Sequence, residues 1–267
     1  MSYNQFAYYY DRLMRDMPYG KWLTFTEDCW ERYGKPATVV DLGCGTGMIT
    51  IPIAQNGTRV IGIDLSEDML AVASSKSDAM EAEGRSAKTG SITWLHQDIR
   101  EWQLTEKVDV AISFCDCFNY LLAEEDIIQA FRQTYEGLSA GGLFIFDVHT
   151  PQQLASYAAT QPFFLDEEDA AYIWTCNFDK DTCQIEHELT IFVQELPRSQ
   201  TQQLPKFLRI EETHTQRAYP INWLKQQLQK IGFNTVDCYA DFTWEPTNEA
   251  TERAFLVCHK AAGPLRI

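Results

Sequence analysis

No apolar run in this sequence approaches the ~20 residues of a membrane-spanning helix, so an integral membrane protein is not expected. Lysine and arginine form no cluster: 22 basic residues are scattered among 38 acidic ones, for a formal charge of −16. A surface of that sign repels phosphate backbones and anionic headgroups, which argues against nucleic acid and membrane surfaces as partners. None of the eight cysteines forms a C-x-x-C pair, and the five histidines show no zinc-ligand spacing, so no metal site is expected. The first residues, MSYNQFAYYYDRLMRD, lack the basic-then-apolar start of a secretory leader. A cytoplasmic protein with reduced thiols is the expectation that follows. What is present is ordinary for a globular chain: 267 residues, 45% hydrophobic and 22% charged. That length suits one domain with an insertion and buries a sizeable core without cross-links.

Along the chain, Phe6, Tyr9, Tyr10 and Leu13, then Trp22, Phe25 and Trp30, predict one or two helices over residues 1–35. A β-branched run, Thr38-Val39-Val40-Asp41-Leu42, reads as a buried parallel strand. A glycine-rich turn, Gly43 to Gly47, then leads into a helix ending near Gln55. Further strands are predicted at Arg59–Asp64, Ser91–His96, Val108–Phe114 and Leu143–Val148. Between them, Ser66 caps one helix and Glu124, Glu125 and Asp126 open another, which closes near Gly137 or Gly141. This rhythm means an α/β fold with a mostly parallel sheet, right-handed crossovers and helices on both faces. After Pro151 the pattern changes to alternation. Residues 171–178 and 182–193 read as a hairpin turning at Asp179-Lys180-Asp181, and Phe207–Arg217 as a third antiparallel strand beyond a polar loop at 197–205. Residues 151–217 thus form an inserted antiparallel β cap, whereas 1–150 and 218–267 form the core. Pro220 starts the next helix, Gly232 stops it, and strands at 233–243 and 253–259 finish the fold.

The sharpest feature is the turn Asp41-Leu42-Gly43-Cys44-Gly45-Thr46-Gly47. Glycines directly after a first strand let the backbone approach a ligand, and the following helix offers free N–H groups. The dinucleotide fingerprint G-x-G-x-x-G does not fit, because Met48 occupies the place of its third glycine. Asp64 ends the second strand, where a carboxylate accepts both ribose hydroxyls of an adenosine. Asp98 follows the third strand, where it can accept from an adenine amino group while Ile99 packs on the ring. Each aspartate alone has a second reading as a helix cap or turn former. Three acidic positions at successive strand ends together describe a site for an adenosine that carries positive charge.

These residues resemble the class I S-adenosylmethionine (SAM)-dependent methyltransferases of the bacterial small-molecule type. Asp41 to Gly47 is similar to the family's first motif. Gly62-Ile63-Asp64-Leu65-Ser66-Glu67-Asp68-Met69-Leu70 resembles its second, Asp98-Ile99 its adenine-side motif, and Phe114-Cys115-Asp116-Cys117-Phe118-Asn119-Tyr120-Leu121 the segment under the methionine part of SAM. Gly141-Gly142-Leu143-Phe144-Ile145-Phe146-Asp147 resembles the turn into the fifth strand. The likeness spans about 36–150 and resumes over about 218–260. It implies a three-layer Rossmann-like fold with a seven-stranded sheet whose last strand is antiparallel, and SAM as cofactor. It also implies SAM contacts from Asp41, Gly43, Cys44, Gly45, Gly47, Asp64, Leu65, Met69, Asp98, Ile99, Phe114 and Cys115, with Tyr9 or Tyr10 closing over them. One departure is the lack of an Asn-Pro-Pro-Tyr type sequence after the fourth strand, so methylation of a base amino group is not implied.

Methyl transfer from a sulfonium is an in-line displacement that depends mainly on positioning and a dry site. Where a general base is needed, His149 is the first candidate, since it follows the fifth strand at the ligand-binding edge; equally, it can cap the loop before Pro151. His187 falls on the apolar face of a cap strand and reads more readily as a core histidine. Asn119, Tyr120 and Trp174 are candidates for holding a small-molecule acceptor between sheet edge and cap. The protein would act as a monomer or homodimer. A nicotinamide-dependent oxidoreductase and a non-catalytic SAM-binding module remain as alternatives.

Overall fold

The computed structural model describes residues 3–83, 90–195 and 206–262; the loop expected at 197–205 and the Phe6 side chain lie outside them. Helices α1 (Tyr3–Leu13) and α2 (Tyr19–Tyr33) precede a seven-stranded sheet. Its strands are β1 (Thr38–Leu42), β2 (Arg59–Asp64), β3 (Ser91–His96), β4 (Val108–Ser113), β5 (Leu138–His149), β10 (Phe233–Ala240) and β11 (Arg253–Lys260). They lie in the order β10-β11-β5-β4-β1-β2-β3. β11 runs antiparallel to both neighbours, and the remaining pairs are parallel. Helices α3 (Thr50–Gln55), α4 (Glu67–Ala82), α5 (Glu124–Gly137) and α7 (Ile221–Ile231) connect the strands. This is the three-layer Rossmann-like arrangement expected from the sequence. β1 is buried because helices cover both faces, which is why its sequence is a continuous apolar run rather than an alternating one.

Two cores result. On one face, Phe131 and Ile127 of α5 and Leu224 and Leu228 of α7 pack on Phe144, Phe146 and Leu256. On the other, Trp22 and Phe25 of α2 pack on Val39, Val110, Ile145 and Phe255. The strand order reverses between β2 and β4, which flank β1, so a crevice opens at the C-terminal ends of these strands. Register places Asp41 level with Gly62 and Ile112, and Asp64 level with His96. The acidic positions therefore share one sheet edge.

β5 begins five residues earlier than the expected Leu143. Leu138 already pairs with Val108, and an irregularity before Val110 absorbs the Ser139–Gly142 excursion. The inserted segment forms a second, antiparallel sheet of β6 (Phe163–Asp166), β7 (Ala170–Asp179), β8 (Gln184–Gln194) and β9 (Phe207–Arg217), in that order. A helix before it, α6 (Pro151–Thr160), had no counterpart in the sequence reading. Thr150 caps it and Pro151 occupies its first turn, but only Leu154 is buried, so it carries no apolar stripe to betray it.

The turn after β4 is anchored by Phe118, which is fully buried with ring centroids 5.3 Å from Phe131, 5.7 Å from Phe144 and 5.1 Å from Phe146. Phe118→Ala is expected to lower stability by about 3–5 kcal/mol, read as a shifted midpoint in urea denaturation.

Candidate functional site

The glycine turn is built by backbone geometry that side chains disfavour. Gly43, Gly45 and Gly47 have φ of 75°, 53° and 78°. A Cβ on Gly43 would meet Cys117 Sγ at 2.3 Å, and one on Gly47 would meet Trp94 at 2.7 Å. Above Gly45, by contrast, there is open space, which leaves bare backbone for a ligand to approach. The Gly43 and Cys44 N–H groups donate to Ile63 O at 2.8 and 3.0 Å, joining the tips of β1 and β2. Asp64 stabilises the turn: its Oδ2 accepts from Gly45 N at 2.7 Å and its Oδ1 from Ser66 N at 2.8 Å. Burial raises the Asp64 carboxyl above its ordinary value, opposed by these backbone bonds. Asp41 is buried beneath, its Oδ2 accepting from Thr50 Oγ1 at 2.6 Å. Burial pushes it up to about 7, and the nearby Asp64 adds to the shift.

The remaining positions divide. Met69 lies beside Tyr9, Tyr10 and Leu13 of α1, against the cap. Leu65 is 65% exposed next to Asp64, an apolar side chain left open at the strand end. Ile99 packs against the core. Asp98 is gripped by Arg100, which donates from Nε to both carboxylate oxygens and from Nη2 at 2.6 Å. These bonds hold its carboxyl below the usual range. Phe114 is buried, and Cys115 after it turns to φ 57°. α1 is strapped across the turn by Asp11, which accepts from Thr46 Oγ1 at 2.5 Å and from Lys76 Nζ at 2.6 Å. Burial, with Tyr19, Cys115 and Tyr120 close by, raises the Tyr10 hydroxyl well above its ordinary value.

A second constellation went unnoticed in the sequence. Arg253 of β11 bonds Asp147 of β5 through Nη1, and its Nη2 reaches Asp116 Oδ1 at 3.0 Å and His149 Nε2 at 2.6 Å. Trp22 Nε1 donates to Asp147 at 3.1 Å, and Gln216 Nε2 of β9 donates to Asp116 at 2.7 Å. Burial opposes ionisation of Asp116, but the charge and hydrogen bond of Arg253 and the hydrogen bond from Gln216 hold its carboxyl low. Two carboxylates thus share one guanidinium at the strand tips. Asp116 itself stands in the left-handed region, φ 54°. An aspartate tolerates that conformation better than most residues; this, within the motif after β4, was the available signal. His149 is buried, and burial lowers its imidazole to about 4. With Nε2 accepting from Arg253, its proton sits on Nδ1, which has no partner among the described residues.

Asn119 is a clamp. Its amide donates to His149 O and Arg217 O and accepts from His149 N at 2.9 Å, so its polar atoms are committed to backbone. Tyr120 stands edge-on to His214 of the cap. Trp174 Nε1 donates to His187 Nδ1 at 3.0 Å, and both rings pack with Tyr157. Burial lowers His187 to about 4, so it is neutral.

Residues 39–142 match the profile of a family described as a methyltransferase domain. Over 262 residues the chain is 36% identical to a protein of Geobacillus sp. (strain WCH70) named as a methyltransferase, covering 97% of this chain and all of that one. The chain belongs to the class I SAM-dependent methyltransferases. A solved SAM-dependent methyltransferase from Clostridium acetobutylicum superposes with TM-score 0.80 at 25% identity, over 98% of this chain and 99% of that one. A sugar N-methyltransferase from Streptoalloteichus shares the fold with TM-score 0.70 at 14% identity, over 95% and 92%. SAM is the methyltransferase's cofactor, and the open backbone at Gly45 above the carboxylates of Asp41 and Asp64 fits a cationic nucleoside. No described helix is long and apolar enough to cross a membrane.

A carboxyl raised to about 7 gives a signed pH dependence. The folded ligand-free chain retains a proton that the unfolded chain releases, so Asp41 costs stability as pH climbs from about 4 through 7. The charge it gains attracts a cation. Affinity for S-adenosylhomocysteine (SAH), whose amino group stays protonated, is expected to rise with pH up to about 7, by at most tenfold per unit. In calorimetric titrations, Asp41→Asn should flatten that rise.

Proposed function

We propose that the methyltransferase transfers a methyl group from SAM to a small-molecule acceptor held between the strand tips and the inserted cap. The observation that carries this reading is the contact of the cap's inner face with the same edge that bears the glycine turn: Gln216 bonds Asp116 and His214 faces Tyr120. A cap seated over the strand tips favours a small ligand over a folded protein segment or a duplex. The shared fold of a sugar N-methyltransferase supports it. Eight free thiols support a cytoplasmic location.

In this reading Asp64 accepts the ribose hydroxyls through the lone pairs its backbone bonds leave spare. The backbone of Gly43 to Gly47 lies along the ligand, Asp41 faces its cationic end, and Asp98 with Ile99 borders the adenine. Phe114 and Cys115 lie under the methionine part, and Tyr10 closes the site from α1. When bound, SAM supplies an activated methyl on a sulfonium, so this chain's residues need only position the acceptor and exclude water. Because its Nε2 already accepts from Arg253, His149 is proposed to hold Arg253 and through it Asp116. Proton loss is left to the acceptor's own ionisation.

Calorimetry is expected to register SAH binding to the wild type and a loss of about a hundredfold or more for Asp64→Ala, since charge-assisted hydrogen bonds to two hydroxyls disappear. Methyl-labelled SAM incubated with a metabolite extract should yield a labelled product of low mass. Label recovered only in the macromolecular fraction would refute the small-molecule reading.

A further inference from the structure

Five rows of side chains cross the inner face of the cap, set by the pairing of β7, β8 and β9. The row Phe178–Ile185–Gln216 reaches Asp116 through Gln216. The next, Cys176–His187–His214, reaches Tyr120. The fourth, Tyr172–Ile191–Ile210, packs on Tyr9, Tyr10, Leu13 and Met69 beside the glycine turn. Between the second and fourth lies Trp174–Leu189–Glu212. Rows on both sides of Glu212 touch the sheet edge and α1, so its side chain lies on the face that the cap turns toward the strand tips.

Glu212 is an anomaly there. It is 5% exposed, while Glu211 and Thr213 on either side are exposed. Its Oε1 has no hydrogen-bond partner among the described residues. A buried carboxylate oxygen without a partner is costly, and burial raises this carboxyl above its ordinary value. None of the described arginines of the cap or α1 is paired with it. Arg12 and Arg15 pair with Asp169, Arg209 with Glu211, and Arg217 with Glu124. The imidazole of nearby His187 is neutral. Two rows away, at Gln216, Asp116 with Asp147 already exceeds the charge of Arg253. The indole of Trp174 stands in the same row, about 10 Å away across two strand spacings, with Tyr157 and Phe163 packed on it. A buried, unpaired carboxylate oxygen on a face that also carries aromatic rings is an environment that receives an ammonium group.

We infer that Glu212 is the acceptor-anchoring residue of this site and that it takes a protonated amino group, so that the acceptor carries an ammonium group that anchors it and, apart from that nitrogen, a second atom with a free lone pair that receives the methyl. The inference rests on the small-molecule reading above. Glu212 makes the contact that fixes the acceptor; no bond forms or breaks at its carboxylate. The missing partner in the protein is supplied by the ligand, and an acceptor with a carboxylate or phosphate in that place is rejected by the unpaired charge it would meet.

Metabolite extract separated on a cation exchanger, then incubated with methyl-labelled SAM and the full-length enzyme, tests this. Labelled product is expected from the retained, cationic fraction. Glu212→Gln should cut transfer to that product by about tenfold or more, chiefly through KM, because the substitution keeps the shape and removes the charge. Its SAH affinity should stay within about twofold of the wild type, since no cofactor contact is touched. In the absence of ligand, the melting temperature of Glu212→Gln should equal or exceed that of the wild type. Product arising only from the unretained fractions, transfer by Glu212→Gln at the wild-type rate, or a lowered melting temperature would each overturn the assignment. No product from any fraction with the wild type would instead overturn the transfer reading itself, and this one with it.

Discussion

One guanidinium holds the molecule's separate parts in register. Arg253 comes from the last strand, yet it binds Asp147 of the fifth strand, Asp116 of the turn after the fourth, and the ring of His149. Through Asp147 it is tied to Trp22 of the second helix, and through Asp116 to Gln216 of the cap. Buried charges of this kind contribute little net stability, because desolvation consumes most of the attraction; removing one partner is what costs. Their value here is geometric. Asp116 is kept ionised and in a left-handed conformation at the tip of the sheet, where a mobile carboxylate would be of no use to a positioning enzyme.

The strand tips concentrate negative charge. Asp41 and Asp64 are both raised by burial, and Asp116 and Asp147 share a single arginine. A ligand-free chain tolerates this only at some cost, and a cofactor bearing a sulfonium and an ammonium relieves it. The same field that favours a cationic cofactor would, on the proposed reading, disfavour an anionic acceptor.

Closure of the site depends on two segments outside the central sheet. α1 is strapped to the glycine turn through Asp11, Thr46 and Lys76, and to the cap region through Arg12 and Asp169. The cap is clamped from the other side by Asn119, which spans the ends of β5 and β9. Water exclusion, the main service a methyl-transferring protein performs, thus rests on polar contacts at the rim and apolar packing of Ile191 and Ile210 on Tyr9 and Tyr10.

The sequence by itself determined the central sheet and its cofactor edge. β1, β2, β3 and β9 lie where the apolar runs and alternation placed them, because period and composition are local signals that survive folding. The glycine turn and the position of Asp64 were legible for the same reason: a turn requiring three left-handed residues can be written in few ways. α6 was invisible, since a helix that buries one side chain leaves no stripe. Arg253, Gln216 and Glu212 were invisible too. Arg253 lies 106 residues from Asp147, and Glu212 reads as one acidic residue beside another, Glu211. Only the pairing of β9 with β8, and the seating of that sheet against the strand tips, decided which of those two glutamates meets solvent and which is buried. Alternation assigns residues to two sides of a strand; which side is inside is a property of what the strand packs against.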